Sequence, residues 1–193
     1  MSGTPKIAVI VLAAGKSRRF GAADKLLSLF NGKPLAAHVV SSLRGLPYSF
    51  GIVVARNPSV AKLFRQTRLQ HLYPQNASSQ SDTLKTGLAY AEKRGASHVL
   101  LVLGDMPNIS RAHLKELISK VGYHPRISYN GSTVLPPALI PRCLFGRLRR
   151  LHGDNGAGKI LRSHYGTTKI SLSKRDSLDV DVPATRTKSS ADG

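Results

Sequence analysis

Acidic residues are scarce in this chain: 10 Asp and Glu stand against 29 Lys and Arg, a formal net charge of +19 over 193 residues. Such an excess draws phosphates, nucleic acids and anionic surfaces. Cysteine is scarcer still. The lone Cys143 excludes an internal disulfide and fits a reducing compartment, so the cytoplasm is the expected location. Tryptophan is absent, and aromatics amount to 6%. No apolar run reaches the roughly 20 residues that a membrane-spanning helix needs, and no membrane partner is expected. The stretch 7–14 is too short, and it leads into a polar connection rather than a signal-peptide cleavage site. What remains is ordinary for a globular protein: 41% hydrophobic and 20% charged residues, enough for one domain (1–193) with a sizeable core.

The cations are scattered along the chain, for example at Arg56, Lys62, Arg65, Arg68, Lys93, Arg94, Lys115 and Lys120. The densest group, 142–150, holds only one aromatic residue, Phe145. Scatter of this kind reads as a solvated basic surface and weighs against specific nucleic-acid binding.

Strand-like and helix-like stretches alternate, which predicts an α/β fold: a mostly parallel, Rossmann-like sheet with helices on both faces. Lys6–Ala13 is apolar nearly throughout, as a central parallel strand should be. Phe50–Ala55, Leu69–Tyr73 and His98–Leu103 follow as strands. Helices are expected from Pro34 to about Leu43, from Asn57-Pro58 to about Phe64, from an Asp82 cap to Arg94-Gly95, and from a Ser110 cap to about Val121. After Arg126 come a short strand, an interruption at Pro136-Pro137, a basic helix near 143–151, a glycine-rich loop at 153–158, one or two helical turns to His164 and an edge strand at 169–172. The polar ends, 1–5 and 184–193, are expected to fray.

The most informative segment is 12–25, Leu-Ala-Ala-Gly-Lys-Ser-Arg-Arg-Phe-Gly-Ala-Ala-Asp-Lys, directly after the first strand. In an open α/β sheet, ligands sit beyond the carboxyl ends of the strands. Ala13, Ala14 and Gly15 leave backbone N–H groups unobstructed, so several can converge on phosphate oxygens, and Leu12 begins this candidate nucleotide-binding run. Arg19 and Lys25 then add positive charge from either side, Lys25 as a compact charge at an α-phosphate. Two other segments imitate a P-loop and fail. Gly15-Lys16-Ser17 has Ile10 where the first glycine belongs, and Gly153–Lys159 is followed by Ile160 in place of a hydroxyl.

Asp105 ends an apolar strand at the same predicted sheet edge. A carboxylate there can hold Mg²⁺ against nucleotide phosphates, since that ion takes one or two protein carboxylates plus phosphate and water. Asp179 and Asp181, at a spacing of two, share one face of any strand they form, and Asp154 lies in the glycine-rich loop.

Segment 12–25 resembles the signature loop of the MobA-like nucleotidyltransferases. It is most similar to the molybdenum cofactor cytidylyltransferases, which carry Leu-Ala-Ala-Gly where the guanylyltransferases carry Leu-Ala-Gly-Gly. The likeness continues, in order, through Gly32-Lys33-Pro34-Leu35, 81–88, Gly104-Asp105-Met106-Pro107, 141–145, 153–157 and 179–183. It implies the nucleotide-diphospho-sugar transferase type of fold and Mg²⁺-dependent transfer of NMP from an NTP to a phosphorylated acceptor, with pyrophosphate released. CTP and molybdopterin are the substrates it suggests. The alternatives are GTP as donor, a sugar-1-phosphate or methylerythritol phosphate as acceptor, and a non-catalytic chaperone of the molybdenum cofactor. A molybdoenzyme or its chaperone is the implied protein partner. The resemblance gives Arg19, Lys25 and Asp105 the catalytic roles and Ser81 and Asp82 a contact with the base. It implies a second metal contact beside Asp105 from the segment 179–183, with Asp181 as the candidate and Asp179 and Asp154 as the alternatives. The chain departs from the family pattern where Asp82 and Thr83 replace serines, and where Leu135-Pro136-Pro137 replaces Gly-His-Pro.

Overall fold

The protein is described by a computed structural model, which covers residues 4–14, 24–75, 79–153 and 157–177. Seven strands form one sheet in the order β5-β4-β1-β6-β8-β7-β9. They are β1 (Ile7–Ala13), β4 (Phe50–Ala55), β5 (Leu69–Leu72), β6 (His98–Leu103), β7 (Arg126–Tyr129), β8 (Val134–Pro141) and β9 (Thr168–Ser171). The first four in space, β5, β4, β1 and β6, run parallel. Strand β8 lies antiparallel to β6 and β7, and β9 is parallel to β7. The mostly parallel α/β fold expected from the sequence is the fold observed.

Every residue of β1 is buried, because helices cover both faces of the sheet. Alternate residues serve different cores. Val9, Val11 and Ala13 face α1 (Leu35–Leu43), α2 (Pro58–Leu63) and α4 (Arg111–Ser119). Ala8, Ile10 and Leu12 face α3 (Gln80–Lys93), α5 (Phe145–Leu148) and α6 (Gly158–Ser163). Helix α3 comes unusually close to the sheet at Gly87, where a Cβ would stand 2.7 Å from Ile10 Cγ2. A third segment pairs separately: β2 (Leu29–Phe30) and β3 (Lys33–Pro34) form a hairpin around Asn31 (φ 47°) and Gly32 (φ 75°). Both turn residues have positive φ, as a two-residue hairpin turn requires.

Three expectations need correction. Pro34 does not start α1 but caps it from the end of β3, and the helix begins at Leu35. Pro136 and Pro137 do not end a strand; β8 runs through them, with a register shift opposite Ile127/Ser128. Prolines cannot donate to a ladder, and the shift puts both where no ladder hydrogen bond is needed. The basic segment after Pro141 is shorter than expected, a 3-10 turn (Arg142–Leu144) followed by α5.

Candidate active site

The carboxyl ends of β1, β4 and β6 meet at one edge of the sheet, and the predicted site residues that can be described gather there. Strand β1 delivers Leu12, Ala13 and Ala14, all buried. Gly104, just past β6, donates its N–H to the Leu12 carbonyl at 2.9 Å. A Cβ on Gly104 would stand 3.3 Å from both the Ala13 Cβ and the Leu12 oxygen. A side chain here would push the two strand ends apart by a few tenths of an ångström. The next residue, Asp105, is thereby held beside the end of β1.

Lys25 reaches the same point from the other side. It opens a 3-10 turn (Lys25–Leu27), and its Nζ donates to Asp105 Oδ2 at 3.0 Å. The lysine side chain is 8% exposed and the aspartate 25%. The turn is pinned by Asp24, whose Oδ1 accepts from Leu26 N–H at 2.9 Å and whose Oδ2 accepts from Asn57 Nδ2 at 3.0 Å. Asn57 in turn caps α2 by accepting from Ser59 N–H at 2.9 Å. Arg56, its neighbour, donates Nε to the Ala14 carbonyl at 3.3 Å. Asp24, Arg56 and Asn57 were not singled out as site residues from sequence. The local signal available was Asn57-Pro58 as a helix start, which is borne out but says nothing about the bond to Asp24.

A cleft of about 220 Å³ opens on the α3 side of this edge. Leu12, Leu84, Leu101 and Leu103 line it, with Ser81 and Pro136. Ser81 is fully buried; its Oγ lies 3.0 Å from Ser79 Oγ, and its N–H donates to the Gly153 carbonyl at 3.3 Å. The expected Asp82 cap of α3 is corrected: Asp82 is the third residue of the helix and closes a capping box. Ser79 is the cap, and Asp82 Oδ2 accepts from its N–H at 3.2 Å and its hydroxyl at 2.7 Å. Lys85 lies 3.5 Å from Asp82 Oδ1. Of the two, Ser81 is the one lining the cleft. Gly15, Arg19, Asp154, Asp179 and Asp181 lie outside the described residues.

A buried cation, a half-buried carboxylate and an apolar slot thus converge at the strand ends. Such groups at the strand ends of an open α/β sheet can hold a ligand that is apolar at one end and anionic at the other. The profile of the MobA-like NTP transferase domain matches residues 9–168. The chain belongs to that family. Among its relatives is purine catabolism protein PucB of Bacillus subtilis, 26% identical over 92% of this chain and 91% of that protein. A probable molybdenum cofactor guanylyltransferase of Pyrococcus horikoshii is 31% identical over 76% of this chain and 68% of its own. The structure of Rv0371c from Mycobacterium tuberculosis superposes with a TM-score of 0.77 at 26% identity, covering 94% of this chain and 95% of the other. A second structure of Rv0371c is a complex with manganese (TM-score 0.69, 23% identity, 93% and 94% covered). As a MobA-like NTP transferase, the chain is a nucleotidyltransferase. Among its described residues no helix is long and apolar enough to cross a membrane.

Proposed function

We propose that this MobA-like transferase moves CMP from CTP to a phosphorylated acceptor of the molybdopterin class. The observation that carries the reading is the Lys25–Asp105 pair, one residue beyond the Gly104 contact that closes β6 onto β1. A terminal phosphate oxygen of the acceptor attacks the α-phosphorus; the bond to the β-phosphate oxygen breaks, and pyrophosphate leaves. No covalent enzyme intermediate is needed, so positioning and charge neutralisation supply the rate. Backbone N–H groups after Ala14 hold the triphosphate, with Arg19 and Lys25 offsetting the charge that builds at the α-phosphate. Helix α3 borders the base through Ser81, which lines the cleft, whereas Asp82 holds the start of that helix through Ser79.

A divalent ion fits the residues present. Asp105 gives one oxygen to Lys25 and keeps Oδ1 for a second partner. Mg²⁺ favours such a sparse protein contribution, with phosphate and water completing its shell. Among the described residues no three Asp, Glu, His or Cys side chains cluster for a metal, so the remaining ligands would come from the nucleotide or from Asp181, with Asp179 and Asp154 as alternates. When bound, the ion supplies charge neutralisation on the triphosphate. The manganese complex of Rv0371c supports divalent-metal use.

One feature favours CTP: Ala14, which is buried, occupies the position that is glycine in guanylyltransferase loops. The name of the Pyrococcus relative speaks for GTP. The test is pyrophosphate release from each of the four NTPs with molybdopterin, a sugar-1-phosphate and methylerythritol phosphate, with and without Mg²⁺. Release from CTP with the pterin is expected. Release from GTP alone reassigns the base, and pterin binding without release from any NTP marks a chaperone.

A further inference from the structure

Five of the cations scattered in the sequence share one edge of the sheet in space. At the sheet edge opposite the active site, the topology delivers one exposed cation to each of five neighbouring strands. In spatial order these are Arg68 before β5, Arg44 before β4, Lys6 before β1, Arg94 before β6 and Arg142 after the reversed β8. The last two strands, β7 and β9, are preceded by Tyr123 and Tyr165, which are 87% and 89% exposed. At about 4.8 Å per strand, six gaps make a strip about 29 Å long.

Contacts join parts of the strip, and Arg44 donates Nη2 to Gln66 Oε1 at 2.9 Å. Arg68 lies over the Tyr48 ring at 5.8 Å, and Lys6 and Arg94 lie over Phe50 at 5.6 and 5.0 Å. Ser97 joins Lys6 to Arg142 through backbone bonds of 2.9 Å each, and Cys143 Sγ contacts the Tyr123 carbonyl at 3.7 Å. Among the described residues, none of the five cations is in an ion pair. Asp24, Asp82 and Asp105 lie at the opposite edge. The carboxylates on the helices leading to the strip are Glu92, bound to Arg149, and Glu116. Helix dipoles account for Arg44 and Arg94, which follow α1 and α3, but not for the other three.

We propose that this strip docks single-stranded nucleic acid, with phosphates along the cations and bases stacked on Tyr123 and Tyr165. A protein partner would want an apolar centre depleted of charge, and the strip has charge along most of its length. Cations in file beside exposed aromatics are the composition of a single-strand groove. Its length spans about eight nucleotides at the 3.4 Å rise of a stacked strand.

The test is fluorescence anisotropy with a labelled 20-nucleotide oligothymidylate in saturating CTP and GTP, across a salt series. Binding that weakens steeply with salt is expected. The triple variant Arg68→Gln/Arg94→Gln/Arg142→Gln should lower the log–log salt slope by about two, at about 0.7 for each phosphate no longer neutralised. Tyr123→Ser/Tyr165→Ser should weaken binding by about tenfold or more with the salt slope kept. Both tyrosines are almost fully exposed, so this second variant decides the matter if the first one unfolds. Parental binding by both variants overturns the proposal. So does displacement of the oligonucleotide by the NTPs, which would locate it at the active site. Competition by polyglutamate at equal charge would reassign the strip to an acidic protein.

Discussion

Lys25 and Asp105 come from segments 80 residues apart and meet at 3.0 Å with little solvent around the amine. If they act as one unit on the triphosphate, their substitutions cannot be additive. Asp105→Asn is expected to reduce kcat by about 10²–10³, the usual cost of one charge-stabilising group. Lys25→Met should do the same, and the double variant should be little worse than either. Because a quarter of Asp105 faces water, the stability loss for Asp105→Asn should stay near 1–2 kcal/mol by urea titration, less than for a fully buried pair. Full turnover in Asp105→Ala would refute the metal-holding role. His113 makes a separate residue-scale case. Ser128 Oγ donates its one proton to the Pro137 carbonyl at 2.7 Å, so the 2.7 Å contact between His113 Nε2 and Ser128 Oγ needs the proton on Nε2. Burial lowers the His113 pKa, against the opposing pull of Glu116 and Asp176. The unfolded chain therefore binds this proton more readily, and the contribution, complete above about pH 6.5, falls away on acidification toward the lower folded value. Urea midpoints measured from about pH 7.5 down to about 5.5 should drop more steeply for the parent than for His113→Gln; equal slopes would contradict it.

The segment 24–27 shows how an element can depend on a partner far along the chain. Its turn is fixed by Asp24, and Asp24 is fixed by Asn57 at the start of α2. Asn57→Ala removes the α2 cap, at about 1 kcal/mol, and also releases the turn that carries Lys25. Thermal unfolding should register the first effect, and a fall in kcat smaller than that of Lys25→Met should register the second. Asn57→Ser keeps a cap but cannot span to Asp24, so it should recover stability without recovering kcat. The same link explains what the sequence could and could not reveal. Strands buried on both faces announce themselves as apolar runs, and Phe50–Ala55 and His98–Leu103 have the expected bounds. Lys25 and Asp105 were legible because each stands next to such a run or its loop. The bonds from Asp24 to Asn57 and from Arg56 to Ala14 span 33 and 42 residues, and no local pattern encodes them. β8 was misread for a local reason: two prolines suggest a break, whereas Ser128 and the register shift accommodate them inside the sheet.

Across the whole molecule, charge is unevenly placed. The sum is +19, yet Asp24, Asp82 and Asp105 share the strand ends that form the candidate active site. An approaching triphosphate therefore meets a strongly positive field at long range and a mixed one at contact. The long-range part accelerates encounter and is screened by salt, with a Debye length of about 10 Å at 0.1 M. The contact part involves Lys25, 8% exposed and hence largely shielded from salt. The two parts separate kinetically. Raising ionic strength from about 0.05 to about 0.5 M should lower kcat/KM for the NTP several-fold and leave kcat nearly constant. Stopped-flow nucleotide binding over the same range should place the loss in the association rate. An equal fall in kcat would mean that the charges acting on the reaction itself are open to solvent, against the burial of Lys25.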